Sequence, residues 1–146
     1  MQFAYRTLVA QPPETVFPVF GDAAFVESLA PRLMGLRVIR IGLAKGDEIE
    51  VRFDGLGPRG PWVSRIESLD QTPDEIWFVD QSIRLPWPFA TFRHRHGFVA
   101  KGSGTVLVDD VTFTTSQRVL GPFVSAGLRL SFGFRRGRYR ERFGSP

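Results

Sequence analysis

The sequence predicts an α+β fold in which a strongly bent antiparallel sheet of seven strands packs against one long C-terminal helix. Two observations predict it: most of the chain alternates apolar and polar residues with a period of two, and the last 25 residues change to a helical period. A length of 146 residues with 42% hydrophobic residues fits a single domain spanning 1–146. We therefore expect one sheet, one long helix and two short helices after the first strand.

The N-terminal segment predicts a strand followed by two short helices. Apolar and polar residues alternate over 2–9. Prolines are tolerated in the first turn of a helix, so a short helix is expected over about 13–20. Asp22 is suited to cap a second short helix, which Pro31 would end.

Six further strands are expected after residue 35. The connections between them are short and contain glycine, proline or aspartate, which are turn-forming residues. Short turns make successive strands antiparallel neighbours, so these strands should form a meander. Their predicted ranges are 36–43, 47–54, 62–69, 75–83, 89–100 and 104–115.

The C-terminal helix should bury one face against the concave side of the sheet. Small residues on that face, Gly127 and Ser131, would leave a hollow between helix and sheet, so we expect a cavity there. Helical spacing places six residues on the predicted buried face: Phe123, Val124, Gly127, Leu130, Ser131 and Phe134.

Composition and charge exclude several classes of protein. The chain has no cysteine, which excludes disulfides, thiolate zinc sites and a cysteine nucleophile. It has no apolar run of the roughly 18 residues that a membrane span needs, and we expect a cytoplasmic protein. The net charge is +4, but six arginines and one glutamate lie from Arg129 onward, so the rest is nearly neutral. The basic character is thus local, and we expect no nucleic-acid partner.

Several motifs resemble those of a known superfamily. They are Phe78-Val79-Asp80-Gln81, Pro88-Phe89, Phe92-x-His94-x-His96-x-Phe98, Gly104-Thr105 and Asp109-x-Val111-x-Phe113. Together with the order of elements, they are similar to the SRPBCC superfamily, which has the START-like or helix-grip fold, and within it to the bacterial polyketide cyclase/dehydrase-like branch. The resemblance covers the whole chain and implies a cavity for a hydrophobic small molecule.

Both histidines of the chain lie on one strand face. His94 and His96 are two residues apart, so they share a face with Phe92 and Phe98. Polar groups in an apolar cavity need partners. Aspartates on the two neighbouring strands, Asp80 and Asp109, also lie on apolar faces and are the natural candidates.

Three interpretations of this cluster follow. The favoured one is that His94, His96, Asp80 and Asp109 orient the polar head of a hydrophobic ligand or tie strands together. The second is acid–base catalysis of a cyclisation or dehydration, with His94, His96 and Asp109 as candidate catalytic residues. The third is chelation of a metal, although His-x-His alone is a weak signal and we expect neither metal nor cofactor.

We therefore predict binding, transport or sequestration of a lipid, quinone, sterol or polyketide-like molecule by a monomer or homodimer. A third possible function is an interaction module that uses the arginine-rich helix on anionic lipid or nucleic acid. The predicted wall residues of the cavity are Phe17, Phe53, Phe78, Phe98, Leu130 and Phe134.

Overall fold

The computed structural model describes residues 1–146 and contains seven strands and three α-helices. None of its helices has the length and apolar character needed to cross a membrane. The strands are β1 (Gln2–Val9), β2 (Leu36–Arg40), β3 (Glu48–Phe53), β4 (Trp62–Gln71), β5 (Glu75–Arg84), β6 (Phe89–Lys101) and β7 (Gly104–Thr115). The helices are α1 (Pro13–Val16), α2 (Ala23–Glu27) and α3 (Gly121–Phe143), with 3-10 turns at Phe17–Gly21, Arg32–Met34 and Arg118–Leu120.

All seven strands form one antiparallel sheet in the order β1-β7-β6-β5-β4-β3-β2. The predicted α+β class and the meander of six strands are confirmed. Strand β2 ends at Arg40, earlier than predicted, and its register against β3 shifts between Val38 and Arg40. The first strand pairs with the last, so β1 and β2 form the two edges of the sheet.

The larger of two buried apolar clusters is built around aromatic rings. Phe98 is fully buried, with its ring centroid 5.0 Å from that of Phe20 and 5.3 Å from that of Phe17. Both Phe98 and Phe17 were predicted to line the cavity, and both lie instead in this core. Phe98 faces the 3-10 turn that begins at Phe17, because α1 and this turn cover that part of the sheet.

Helix α3 presents a different face to the sheet from the one predicted. Leu130 and Phe123 are 78% and 76% exposed, whereas Phe132, Tyr139 and Phe143 are buried. Phe132 packs edge-on against Phe3 of β1, with ring centroids 5.5 Å apart, and this contact sets the rotation of the helix. Aromatic residues lie on two opposite sides of α3, Phe123 and Phe134 on one and Phe132, Tyr139 and Phe143 on the other, so helical spacing alone allowed two buried faces.

Phe134 also lies outside the cavity, where it is half-buried. The guanidinium carbon of Arg138 lies 5.0 Å from its ring centroid. The rotation of α3 that buries Phe132 therefore turns both Leu130 and Phe134 away from the predicted wall.

Replacing Gly97 with alanine is expected to destabilise the protein by about 1–3 kcal/mol, the usual cost of overpacking. A β-carbon at Gly97 would lie 2.4 Å from the indole of Trp77, which Arg95 covers from outside at 3.8 Å. Urea unfolding measures the change. The matched control is Gly137→Ala on α3, where a β-carbon meets nothing and helix propensity should add up to about 1 kcal/mol. Equal stability of the two variants would contradict this prediction.

Candidate functional site

A cavity of about 530 Å³ lies between the sheet and helices α2 and α3. Of its 29 lining residues, 19 are hydrophobic. Strand β3 shows how the sequence builds the wall: Ile49, Val51 and Phe53 alternate with outward-facing charged residues and all three line the cavity. These side chains are only half-buried because the space in front of them is unfilled. The predicted hollow is therefore present, mostly apolar, and open to a ligand.

Polar side chains reach this cavity as a small group among the apolar ones. Two of them, His94 and His96, project from β6, and Ser131 and Arg135 come from α3. Asp80 of β5 and Ser64 of β4 complete the set. A small number of polar groups in an apolar pocket usually fixes the orientation of the bound molecule.

Strand register brings the histidines and aspartates together. On β6, His94 lies opposite Asp80 of β5 and His96 lies opposite Asp109 of β7. The hydrogen bonds, however, run diagonally: His94 Nε2 lies 2.9 Å from Asp109 Oδ1, and His96 Nε2 lies 3.0 Å from Asp80 Oδ2. The four side chains that the sequence analysis grouped thus form a crossed set over three adjacent strands.

The two imidazoles are in contact, with ring centroids 3.5 Å apart and planes inclined by 37°. His96 also stacks on Phe78 at 4.2 Å, and His94 meets the edge of Phe132 at 5.0 Å. Aromatic packing on the outer side of each ring therefore fixes both rotamers. The cluster is a rigid arrangement and not a pair of free side chains.

Asp109 is the most heavily bonded member of the cluster. Its Oδ2 accepts a hydrogen bond of 2.9 Å from the hydroxyl of Tyr139, and a guanidinium nitrogen of Arg135 lies 3.8 Å from Oδ1. Burial alone would raise the pKa of Asp109, but the hydrogen bond from His94, the charge of His94 and the charge of Arg135 lower it well below its usual range. Since an ionised carboxylate only accepts, Nε2 of His94 carries the proton in their bond.

Opposing effects act on the other titratable groups. Burial, followed by the neighbouring charge at His94, lowers the pKa of His96 from its ordinary 6.5 to about 4. Burial would raise the pKa of Asp80, but the hydrogen bond from His96 and the positive charges nearby bring it below its ordinary value. Burial and the charge of Asp109 raise the pKa of Tyr139, which stays a hydrogen-bond donor. His96 is therefore a neutral imidazole beside an ionised Asp80.

The predicted site residues divide between the cavity and the core. Phe53 and Phe78 line the cavity, as do His94, His96 and Asp80, whereas Asp109 lies behind the imidazoles. Sequence reasoning missed Arg135 and Tyr139 as partners of Asp109. The available signal was their spacing from Phe132, three and seven residues along one helix face.

Four of the other five arginines of α3 lie against aromatic rings. Arg129 lies 5.2 Å above Phe3, Arg136 lies 5.9 Å from Tyr5, and Arg142 lies 5.6 Å from Phe143. Arg138 forms an ion pair of 2.8 Å with Glu141. These arginines are distributed around the helix, so the local basic charge forms no single stripe.

The chain matches no family model, and no curated protein matches it. Several solved structures do match over nearly the whole chain. Protein CV1439 from Chromobacterium violaceum is 15% identical with a TM-score of 0.71, covering 99% of this chain and 98% of that one. Ara h 8.0201 is 14% identical with a TM-score of 0.56, covering 97% and 98%.

A point mutant of norcoclaurine synthase from Thalictrum flavum, in complex with a transition state analogue, is a further match. It is 13% identical with a TM-score of 0.67, and the match covers 97% of this chain and 96% of that one. Identities this low establish the fold and nothing finer. In its fold, the chain is similar to these proteins, and its seven-stranded antiparallel sheet with one long C-terminal helix is the helix-grip architecture that the sequence predicts.

Proposed function

We propose that this protein binds a hydrophobic or amphipathic small molecule in the cavity between its sheet and helix α3. The observation that supports this most directly is the cavity itself, about 530 Å³ and lined mainly by hydrophobic residues. That volume lies within the range of small-molecule sites in proteins. A void of this size forfeits packing energy in the free protein, so a ligand that fills it stabilises the fold.

The lining indicates how such a ligand would lie. Its apolar body would contact the wall formed by Ile49, Val51 and Phe53, and its polar head would meet His94 and His96. This division suits amphipathic molecules such as lipids, quinones, sterols and polyketides. The norcoclaurine synthase complex supports the proposal, because a protein of the same fold forms a complex with a transition state analogue.

The other functions considered from the sequence stay predictions. Acid–base catalysis of a cyclisation or dehydration rests on the same imidazoles, whose paired carboxylates would orient them for proton transfer. Contact of the arginine-rich helix with an anionic surface rests on charge alone.

The proposal is tested on freshly purified protein. Native mass spectrometry should detect a co-purifying lipophile, and the fluorescence of N-phenyl-1-naphthylamine should rise on binding to delipidated protein. A mass spectrum without adducts, together with absence of saturable probe binding, would contradict the proposal.

Filling the cavity should weaken ligand binding without unfolding the protein. Val51→Trp places an indole in the cavity from the middle of β3, and we expect the affinity for N-phenyl-1-naphthylamine to fall by at least about tenfold, equivalent to 1.4 kcal/mol. The matched control is Arg52→Trp, which adds the same ring to the outer face of the same strand. Equal probe affinities for the two variants would place the binding site elsewhere.

A further inference from the structure

The stacked imidazoles have two edges that differ in their surroundings. On one edge, His94 Nδ1 and His96 Nε2 lie 4.0 Å and 3.0 Å from Asp80 Oδ2. On the other edge, His94 Nε2 and His96 Nδ1 lie 2.9 Å and 3.8 Å from Asp109 Oδ1. One nitrogen of each ring therefore faces Asp80, and the other faces Asp109.

The two carboxylates are compensated unequally. Asp109 accepts hydrogen bonds from His94 and Tyr139 and has the guanidinium of Arg135 nearby. Asp80 accepts one hydrogen bond, from His96, and its Oδ1 has no partner. Asp80 is 8% exposed and lines the cavity. The Asp80 edge of the cluster therefore has a carboxylate oxygen that can bind a cation entering from the cavity.

We propose that Asp80, His94 and His96 form a binding site for a divalent transition-metal ion. Each of the three residues offers one ligand atom, and these atoms lie within 4.8 Å of one another. All three residues are buried and all three line the cavity, so an ion can enter from it. Two imidazoles and one carboxylate are a donor set typical of zinc and of non-haem iron.

Asp109 would orient the metal-binding imidazoles from the edge that faces away from the ion. Metal-ligating histidines usually donate their second ring N–H to a carboxylate, which fixes the tautomer. His94 already donates from Nε2 to Asp109, which leaves Nδ1 for the ion. His96 would bind through Nε2 and carry its proton on Nδ1, which faces Asp109 at 3.8 Å. Tyr139 holds that carboxylate in place through its hydroxyl.

Three protein ligands leave at least one coordination position open, and this position faces the cavity. A ligand oxygen or a water would occupy it, as in metal sites that act on a substrate. The site goes beyond the proposed ligand binding and stands without it, because its donor atoms all come from the protein. It also departs from the sequence-based expectation that no metal binds.

The composition makes the site unusually easy to test. The chain has two histidines and no cysteine, so an imidazole-coordinated transition metal in tag-free protein must use His94 or His96. Titration of chelator-treated wild-type protein with Co²⁺ should give a saturable visible absorption band at one ion per chain, which Zn²⁺ displaces. Absence of a saturable band, or a stoichiometry that scales with added metal, would overturn the proposal.

Variants then identify the residues that coordinate the metal. Asp80→Asn and His96→Gln should each weaken Zn²⁺ binding in calorimetry by at least about 100-fold. Loss of a residue that only orients a metal ligand weakens binding by at most about this much. The matched control is Asp110→Asn, a partly exposed carboxylate beside Asp109, which should leave the affinity unchanged. Unchanged affinity in Asp80→Asn would overturn the assignment, and circular dichroism establishes that each variant is folded.

Failure of the metal site is distinguishable from failure of the proposed ligand binding. N-phenyl-1-naphthylamine binding is measured on the same chelator-treated protein. Probe binding without a cobalt band would overturn the metal site alone, and a cobalt band without probe binding would overturn the ligand proposal alone.

Discussion

Asparagine in place of Asp109 is expected to reduce the free energy of unfolding by about 3–5 kcal/mol, as for removal of one partner from a buried ion pair. The two oxygens of Asp109 accept from two different donors, His94 Nε2 and the Tyr139 hydroxyl, at 2.9 Å each. An asparagine has only one acceptor oxygen, so its amide NH₂ group, which is itself a donor, would face one of these two donors. Arg135 would also lose its nearest carboxylate. Urea unfolding at neutral pH measures the loss.

Asp110→Asn provides the comparison, because the two aspartates are neighbours on β7. Asp110 accepts a single exposed hydrogen bond, 3.0 Å from the amide of Gln2. Its replacement should change stability by no more than about 0.5 kcal/mol, the usual range for surface positions. A loss at Asp109 as small as that at Asp110 would show that the buried network contributes little to stability.

Lowering the pH from 6.5 to 4 should destabilise the metal-free protein by about 3 kcal/mol through His96 alone. The pKa of His96 is about 4 in the folded state, against an ordinary 6.5. Between these values the unfolded chain binds a proton that the folded protein does not, so stability is full above pH 6.5 and falls as the pH falls. Below pH 4, the lowered pKa values of Asp80 and Asp109 add a further loss.

Urea unfolding at half-unit pH steps, with a chelator present, measures this dependence. The comparison is His96→Gln, which removes the titrating group and should flatten the curve between pH 6.5 and 4. The groups facing His96 are Asp80, Asp109 and His94, with Arg135 beyond them. An equally steep curve in the variant would assign the dependence to one of these neighbours.

The sequence predicts the sheet well because strand alternation and turn residues are local signals. The ranges of β5, β6 and β7 agree with prediction to within one residue at each end. The face shared by His94 and His96 follows from the same alternation, and so does the proximity of Asp80 and Asp109. Because the side chains of a strand alternate with a period of two, each strand has only two faces, and the phenylalanines identify the face that lies toward the helix.

Helix α3 was predicted less well, because its rotation depends on contacts between distant parts of the chain. Phe132 packs on Phe3, and Tyr139 reaches Asp109. Helical spacing places Phe132 and Tyr139 on one face of α3, but it does not identify their partners on the sheet. The predicted face shares Val124, Gly127 and Ser131 with the true lining but also includes the exposed Leu130. The diagonal hydrogen bonds of the cluster could not be predicted from the sequence either, because they depend on side-chain rotamers that the neighbouring rings impose.

The hydroxyl of Tyr139 connects helix α3 to the part of the sheet that carries the histidines. Through Asp109, this single hydrogen bond ties the side chain of α3 to an imidazole that faces the cavity. This connection between α3 and the sheet is made by side chains alone. We therefore expect a group that binds the imidazoles to act, through Asp109, on the hydrogen bond that holds Tyr139 of α3.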